Sequence, residues 1–413
     1  MRSPLLCVAF LLLSASGALC AYGGGGATFS PSTAGGDAGI PRGLFPMYQN
    51  YSFAGVGSCG PPQQRGEYFD IRCLGPEQKL KPGQVSNVLA ILPSPYPKHG
   101  LVEVVNQTTQ VINSEGGPVP LSEIYMHHYV GATSLLVEGG AELRGRKSRQ
   151  PLEEPYSWVV DGSEFYGNNK SRVVNIYLIS TAGVGPDDIN RCLQCPCDDD
   201  PDRGGFACCK DCVTQTPGPP RSYWFEYNVT YRKLGARDIR SIKPIDLMWY
   251  DVTGYEEGIE YQILDTTNET HIKTYETEVD GGCEQEHEFE IVRCSGHQHV
   301  GSRCITLFNA ENGEQICKSC PVYGTVEGEP GNEAGYVVKM TDEVLSPPYK
   351  IAPGTRVRLE SAYLGTERRT GVMGLIHTWV AGLSTPCYRE YGYYHYHHYF
   401  RPSVLHGKQV GSW

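Results

Sequence analysis

Short apolar runs separated by Gly, Pro, Asn and Asp dominate the pattern of this chain, and no stretch carries a sustained helical period of apolar positions. Strand-like runs fall at residues 102–105, 173–179, 224–231, 289–293, 335–340, 357–363 and 372–381. Many are rich in Val, Ile and Tyr, which suit a pleated, half-buried surface. The pattern predicts an all-β protein, most simply built as sandwiches. No internal repeat of fixed period is present.

Composition sharpens the organisation. Residues 1–20 carry an apolar run from Leu5 to Leu13 followed by small residues, the pattern of a secretory signal peptide, with Ala18 and Cys20 at the −3 and −1 positions of a cut before Ala21. No later apolar run approaches the ~20 residues of a membrane-spanning helix. Residues 21–60 are rich in Gly, Ser, Ala and Pro and read as a flexible or loosely docked leader. The Pro-rich stretch Thr216-Pro217-Gly218-Pro219-Pro220 is the best boundary between a first sandwich over 61–215 and a second over 216–383. Residues 384–413 form a Tyr/His-rich tail.

Of the 16 cysteines, Cys7 and Cys20 fall in the signal segment and leave an even number, so disulfides are the default in an oxidising compartment. The densest group, Cys192, Cys195, Cys197, Cys208, Cys209 and Cys212, predicts a metal-free, disulfide-stapled hairpin rather than a zinc site. Sequons at Asn50, Asn106, Asn169, Asn228 and Asn268 agree with a secretory route and a glycoprotein. The net charge is −11 and no basic cluster offers a phosphate footprint, which argues against nucleic acid as a partner.

The candidate chemistry lies in the histidines. In an extended strand, residues two apart share a face, so His297 and His299 can reach one metal ion without distorting the backbone. Adjacent His127 and His128 would point to opposite faces, so joint ligation requires a bulge. A thioether such as Met373 beside two imidazoles favours copper, because soft sulfur suits Cu(I).

These residues lie within a longer resemblance. His297-Gln298-His299, Ile316-Cys317, Pro321-Val322-Tyr323-Gly324, Gly331-Asn332-Glu333-Ala334-Gly335-Tyr336, Leu359-Glu360-Ser361 and Thr370-Gly371-Val372-Met373-Gly374-Leu375 resemble the stress up-regulated Nod 19 family. Val119-Pro120-Leu121, Tyr125-Met126-His127-His128 and the Cys192-to-Cys209 spacing match its earlier motifs, so the resemblance spans roughly residues 115–383.

That family is similar to the copper type II, ascorbate-dependent monooxygenases, which include peptidylglycine α-hydroxylating monooxygenase. The resemblance implies two jelly-roll-like β-sandwich domains with a Cys-rich hairpin between them, and two copper sites. His127 and His128 resemble the electron-transfer pair. His297, His299 and Met373 resemble the oxygen-activating catalytic site. A disulfide between Cys283 and Cys387 is implied in the same way.

Two departures stand out. Tyr177 occupies the place of the third electron-transfer histidine, and no histidine occurs between His128 and His271. Ser295 stands where a peptide hydroxylase carries an arginine, and Leu375 and His377 fall at its helper positions. The expected function is a secreted, disulfide-rich glycoprotein that binds copper at His297, His299 and Met373, with Tyr177 as a further metal candidate beside His127 and His128. The alternative is an active ascorbate-dependent copper monooxygenase acting on an extracellular substrate. An extracellular or matrix partner fits either.

Overall fold

The computed structural model describes residues 52–131, 147–148, 152–165, 172–184, 217–254, 260–264, 266–279 and 287–383. The signal segment, most of the leader, the Cys192–Cys212 cluster, Cys283, Cys387, Asn50, Asn169 and the Tyr/His-rich tail lie outside these residues. Within them the chain is all-β. Helical structure amounts to a single turn at Asp238–Ser241 and a 3-10 turn at Gly162–Phe165.

One long sheet forms the back of the molecule. Strands Tyr68–Leu74, Arg221–Lys233, Leu101–Asn113, Tyr156–Asp161, Lys243–Asp251, Gly374–Ala381, Phe289–Gln298 and Asp342–Ile351 lie side by side in that order. Two four-stranded sheets are separate from it. One holds Ser52–Val56, Val85–Ile91, Val173–Ser180 and Ile124–Gly131, and the other Thr270–Glu278, Arg356–Leu364, Ser302–Asn309 and Gln315–Ser319. The alternation of apolar and polar positions produces this arrangement. In Arg221–Lys233, Tyr223, Phe225, Tyr227, Val229 and Tyr231 enter the first core while Trp224, Asn228 and Thr230 between them are half-buried.

The strand that follows the Pro-rich stretch therefore belongs with the strands that precede it, pairing with Tyr68–Leu74 and Leu101–Asn113. The passage between the two cores falls after Lys233, around the short helix, instead of at residues 216–220. The start of the first sandwich also lies earlier than expected. Ser52–Val56 pairs in parallel with Val85–Ile91, and Cys59 is joined to Cys73. Backbone pairing and a covalent link dock the end of the stretch that composition reads as a flexible or loosely docked leader.

The two halves are not separate bodies on a string. Tyr156 and Ser157 pair with Lys243 and Pro244, which carries the back sheet across the junction. Ile245, Val292, Trp379 and Ala381 pack into the first core although they lie on strands of the second half. A third apolar cluster, Leu121, Tyr125, Tyr177, Ile179 and Tyr336 with Val300 and Val338 against it, fills the space between the halves. All six described cysteines are paired, as Cys59–Cys73, Cys294–Cys317 and Cys304–Cys320. Of the described sequons, Asn268 lies in an exposed loop, whereas Asn106 and Asn228 are half-buried on neighbouring strands.

Candidate metal centre

The strand Ile124–Gly131 carries the first pair of histidines, and its register against Val173–Ser180 slips by one residue there. Tyr177 faces His128 and Leu178 faces Met126, so His127 is the extra residue of a bulge. That bulge is what adjacent histidines need in order to work on one side. Their Nδ1 atoms stand 3.1 Å apart. Two nitrogens each about 2.0 Å from one ion, at angles between right and tetrahedral, stand about 2.9–3.3 Å apart, so the pair has the bite of a chelate.

Asn175, two residues before Tyr177 on the paired strand, sets the chemistry of His128. Its Nδ2 donates to Asn87 Oδ1 at 2.7 Å and to the Val88 carbonyl at 3.0 Å. Its Oδ1 therefore faces His128 Nε2, at 2.6 Å, and accepts a hydrogen bond from the Nε2–H. Neutral His128 then carries its lone pair on Nδ1, and His127 Nδ1–H donates to it. A hydrogen bond of this kind to the far nitrogen is how ligating imidazoles are commonly oriented.

Tyr177 stands beside the pair. Its ring stacks on His127 with centroids 4.4 Å apart and meets His128 edge-on at 5.1 Å. Fully buried in the cluster between the halves, it packs against the imidazoles by its ring.

The second set lies where Phe289–Gln298 ends. Gln298 turns into the second core, where its Nε2 donates to Ser361 Oγ at 2.8 Å and to the Ala362 carbonyl at 3.2 Å. With Gln298 anchored on that side, His297 and His299 share the opposite face, with rings 5.5 Å apart. Gly296 is needed just before them: a Cβ there would lie 2.5 Å from Ile305 Cγ2. Disulfides Cys294–Cys317 and Cys304–Cys320 tie this strand and the next to the Gln315–Ser319 region.

Met373 breaks the single strand expected over 372–381. It falls between strands Arg369–Val372 and Gly374–Ala381. One hydroxyl explains its place. Tyr363 Oη accepts from the His299 amide at 2.7 Å and donates to the Met373 carbonyl, also at 2.7 Å. The backbones of the expected ligands His299 and Met373 are thus held by one buried oxygen. Gly374 allows the turn, because a Cβ there would lie 2.6 Å from Ser361 Oγ and 2.7 Å from Val252 Cγ1. Met373 is buried but belongs to none of the three apolar clusters.

The two sets meet. His127 from the first half and His299 from the second have ring centroids 6.0 Å apart, edge to face, and all four histidines are between 0 and 5 % exposed. Leu375 and His377 pair with His297 and Ser295, and directly paired residues share a sheet face, so this face continues as a buried polar surface. Trp249 packs on His377 at 4.8 Å. Asp251, paired with Leu375, has its carboxyl pushed up to about 7 by burial, against hydrogen bonds from Thr253 that act the other way. Among the described residues no three His, Cys, Asp or Glu side chains group closely enough to hold one ion. The donors that the described residues offer are two imidazole pairs, with the buried Met373 thioether and Tyr177 phenol as the remaining candidates. That is a neutral, soft-leaning set that fits copper better than calcium or magnesium.

Residues 139–383 match the family described as Stress up-regulated Nod 19. The chain belongs to the stress up-regulated Nod 19 family. The match takes in Tyr177, His297, His299 and Met373, and begins just after the His127–His128 strand. No curated protein matches the chain. Among solved structures, the STIV MCP overlaps at 9% identity over 79% of this chain and 99% of that one, with a TM-score of 0.21. Infectious bursal disease virus Gx strain overlaps at 10% identity over 80% and 76%, with a TM-score of 0.16. Overlaps this loose carry no argument about this Nod 19 protein.

Proposed function

We propose that this Nod 19 family protein is a secreted, disulfide-rich glycoprotein that binds copper at His297, His299 and Met373. The observation that carries the reading is the Tyr363 hydroxyl, which joins the backbones of His299 and Met373 while Gln298 keeps both imidazoles on one face. Two imidazoles and a thioether favour Cu(I), and copper so held supplies one-electron and oxygen chemistry when bound. His127 and His128 provide a second, chelating pair at the same place. The three described disulfides support an oxidising compartment, and no helix among the described residues is long and apolar enough to cross a membrane. Asn268, in its exposed loop, is the best placed described sequon for a glycan.

Hydroxylation is expected to be weak. The jelly-roll fold of the copper type II monooxygenases would accommodate both donor sets, but Tyr177 takes the place of a third imidazole, with its ring packed against the pair. Ser295 offers no charge to a substrate carboxylate. The test is metal analysis of protein purified from a secreting host, with ascorbate-dependent oxygen uptake measured alongside. Copper in the unmodified protein, reduced in His297→Ala and Met373→Leu, with little oxygen uptake, supports the reading. Absence of copper would refute it. Robust ascorbate-driven uptake lost in His297→Ala would favour an active monooxygenase with an extracellular substrate.

A further inference from the structure

We propose that the two imidazole pairs are coupled as one centre that takes one Cu(I) ion tightly, so that occupation of the pair in one half disfavours a second ion on the pair in the other. This rests on the copper reading above and adds its stoichiometry. The first argument is distance. His127 and His299 are in ring contact at 6.0 Å, and neither pair is open to solvent, so ions on the two pairs would be close neighbours with little water to screen them.

The second is charge. Among the described residues no carboxylate joins either imidazole pair to make a group of three possible ligands. The donors, including Met373, Tyr177 and the Asn175 amide behind His128, are neutral. Two cations here would have no adjacent counter-charge among the described residues, which is unfavourable in a buried site. The same shortage favours Cu(I) over Cu(II).

The third is that the halves cannot easily part to make room. The back sheet runs through both, and Tyr125, Tyr177 and Tyr336 pack between them. Glu333 of the second half accepts from the Leu121 amide of the first at 2.6 Å.

Order of filling follows from the protons. Asn175 places a proton on His128 Nε2, and His127 donates its Nδ1 proton to His128 Nδ1. For both Nδ1 atoms to bind an ion, His127 must first move that proton to its other nitrogen. The His127–His128 pair is therefore hydrogen-bonded internally when metal-free, and the ion goes first to His297, His299 and Met373.

The experiment is an anaerobic titration of the reduced-copper form into full-length, disulfide-intact protein, against a chromophoric Cu(I) chelator. The unmodified protein should bind one equivalent, with a second at least tenfold weaker. His127→Ala should abolish the second, weaker equivalent. His297→Ala/His299→Ala should still bind one equivalent, more weakly, at the released first pair. Two equivalents of comparable affinity in the unmodified protein would overturn the proposal while leaving copper binding intact. No binding at all would overturn the copper reading itself. The unmodified protein alone decides between these, so a variant that fails to fold does not obscure the result.

Discussion

Tyr363 is the residue on which the proposed copper site depends most without touching any metal. Its hydroxyl satisfies the His299 amide and spends its own proton on the Met373 carbonyl. Tyr363→Phe leaves a buried N–H and a carbonyl unpaired, at about 1–3 kcal/mol for such a group. It should lower the denaturation midpoint and weaken Cu(I) binding tenfold or more, whereas a purely structural role would change stability only. Asp251 gives a pH prediction. Its folded pKa of about 7 lies above the ordinary carboxyl value of 3.8, so the folded state holds a proton that the unfolded state has lost between those values. Stability should thus fall as pH rises from about 4 to about 7 and level off above. Asp251→Asn keeps the acceptor for Thr253 and removes the charge. Denaturant melts at pH 5 and pH 8 should show this variant with a flatter profile and about 1–2 kcal/mol more stability than the parent at pH 8.

At the scale of strands and turns, the site is a bulge, a strand end and a strand break held in place by cross-links. Removing Cys294–Cys317, a loop of 23 residues, as Cys294→Ser/Cys317→Ser should cost about 3 kcal/mol in the chain-entropy model, measured by chemical denaturation. It should also loosen the strand that carries His297. The period-two rule made the shared face of His297 and His299 legible, and the conflict between adjacent histidines and a regular strand anticipated the bulge at His127. The break at Met373 was not legible. Residues 372–381 read as one apolar strand, and what interrupts it is a hydroxyl ten positions earlier together with the close approach of Gly374 to Ser361. Asn175 was equally hidden, since its role depends on Asn87, Val88 and His128 from two other strands. Period and motif report a residue's face; they do not report which distant strand supplies its partner.

For the whole molecule, the consequence is that the candidate site lies at a junction rather than within either sandwich. The sequence divides the chain at a Pro-rich stretch, but pairing of Tyr156 and Ser157 with Lys243 and Pro244 carries the back sheet across, and Trp379 of the second half completes the first core. Glu333 is a buried polar link of this junction, 1 % exposed, with its pKa raised by burial and accepting from the Leu121 and Gly331 amides. Glu333→Ala should unpair the Leu121 amide. Hydrogen exchange at residues 119–129 should then rise by tenfold or more while the outer strands of each half keep their protection.

The most direct test of the central claim, that imidazoles and a thioether from residues 297, 299 and 373 hold copper, is copper K-edge X-ray absorption on the protein loaded with one equivalent of Cu(I). The account predicts nitrogen scatterers with imidazole ring signatures plus one sulfur, the sulfur disappearing in Met373→Leu while the imidazoles remain. A spectrum with no sulfur in the unmodified protein, or one that Met373→Leu leaves unchanged, would contradict it.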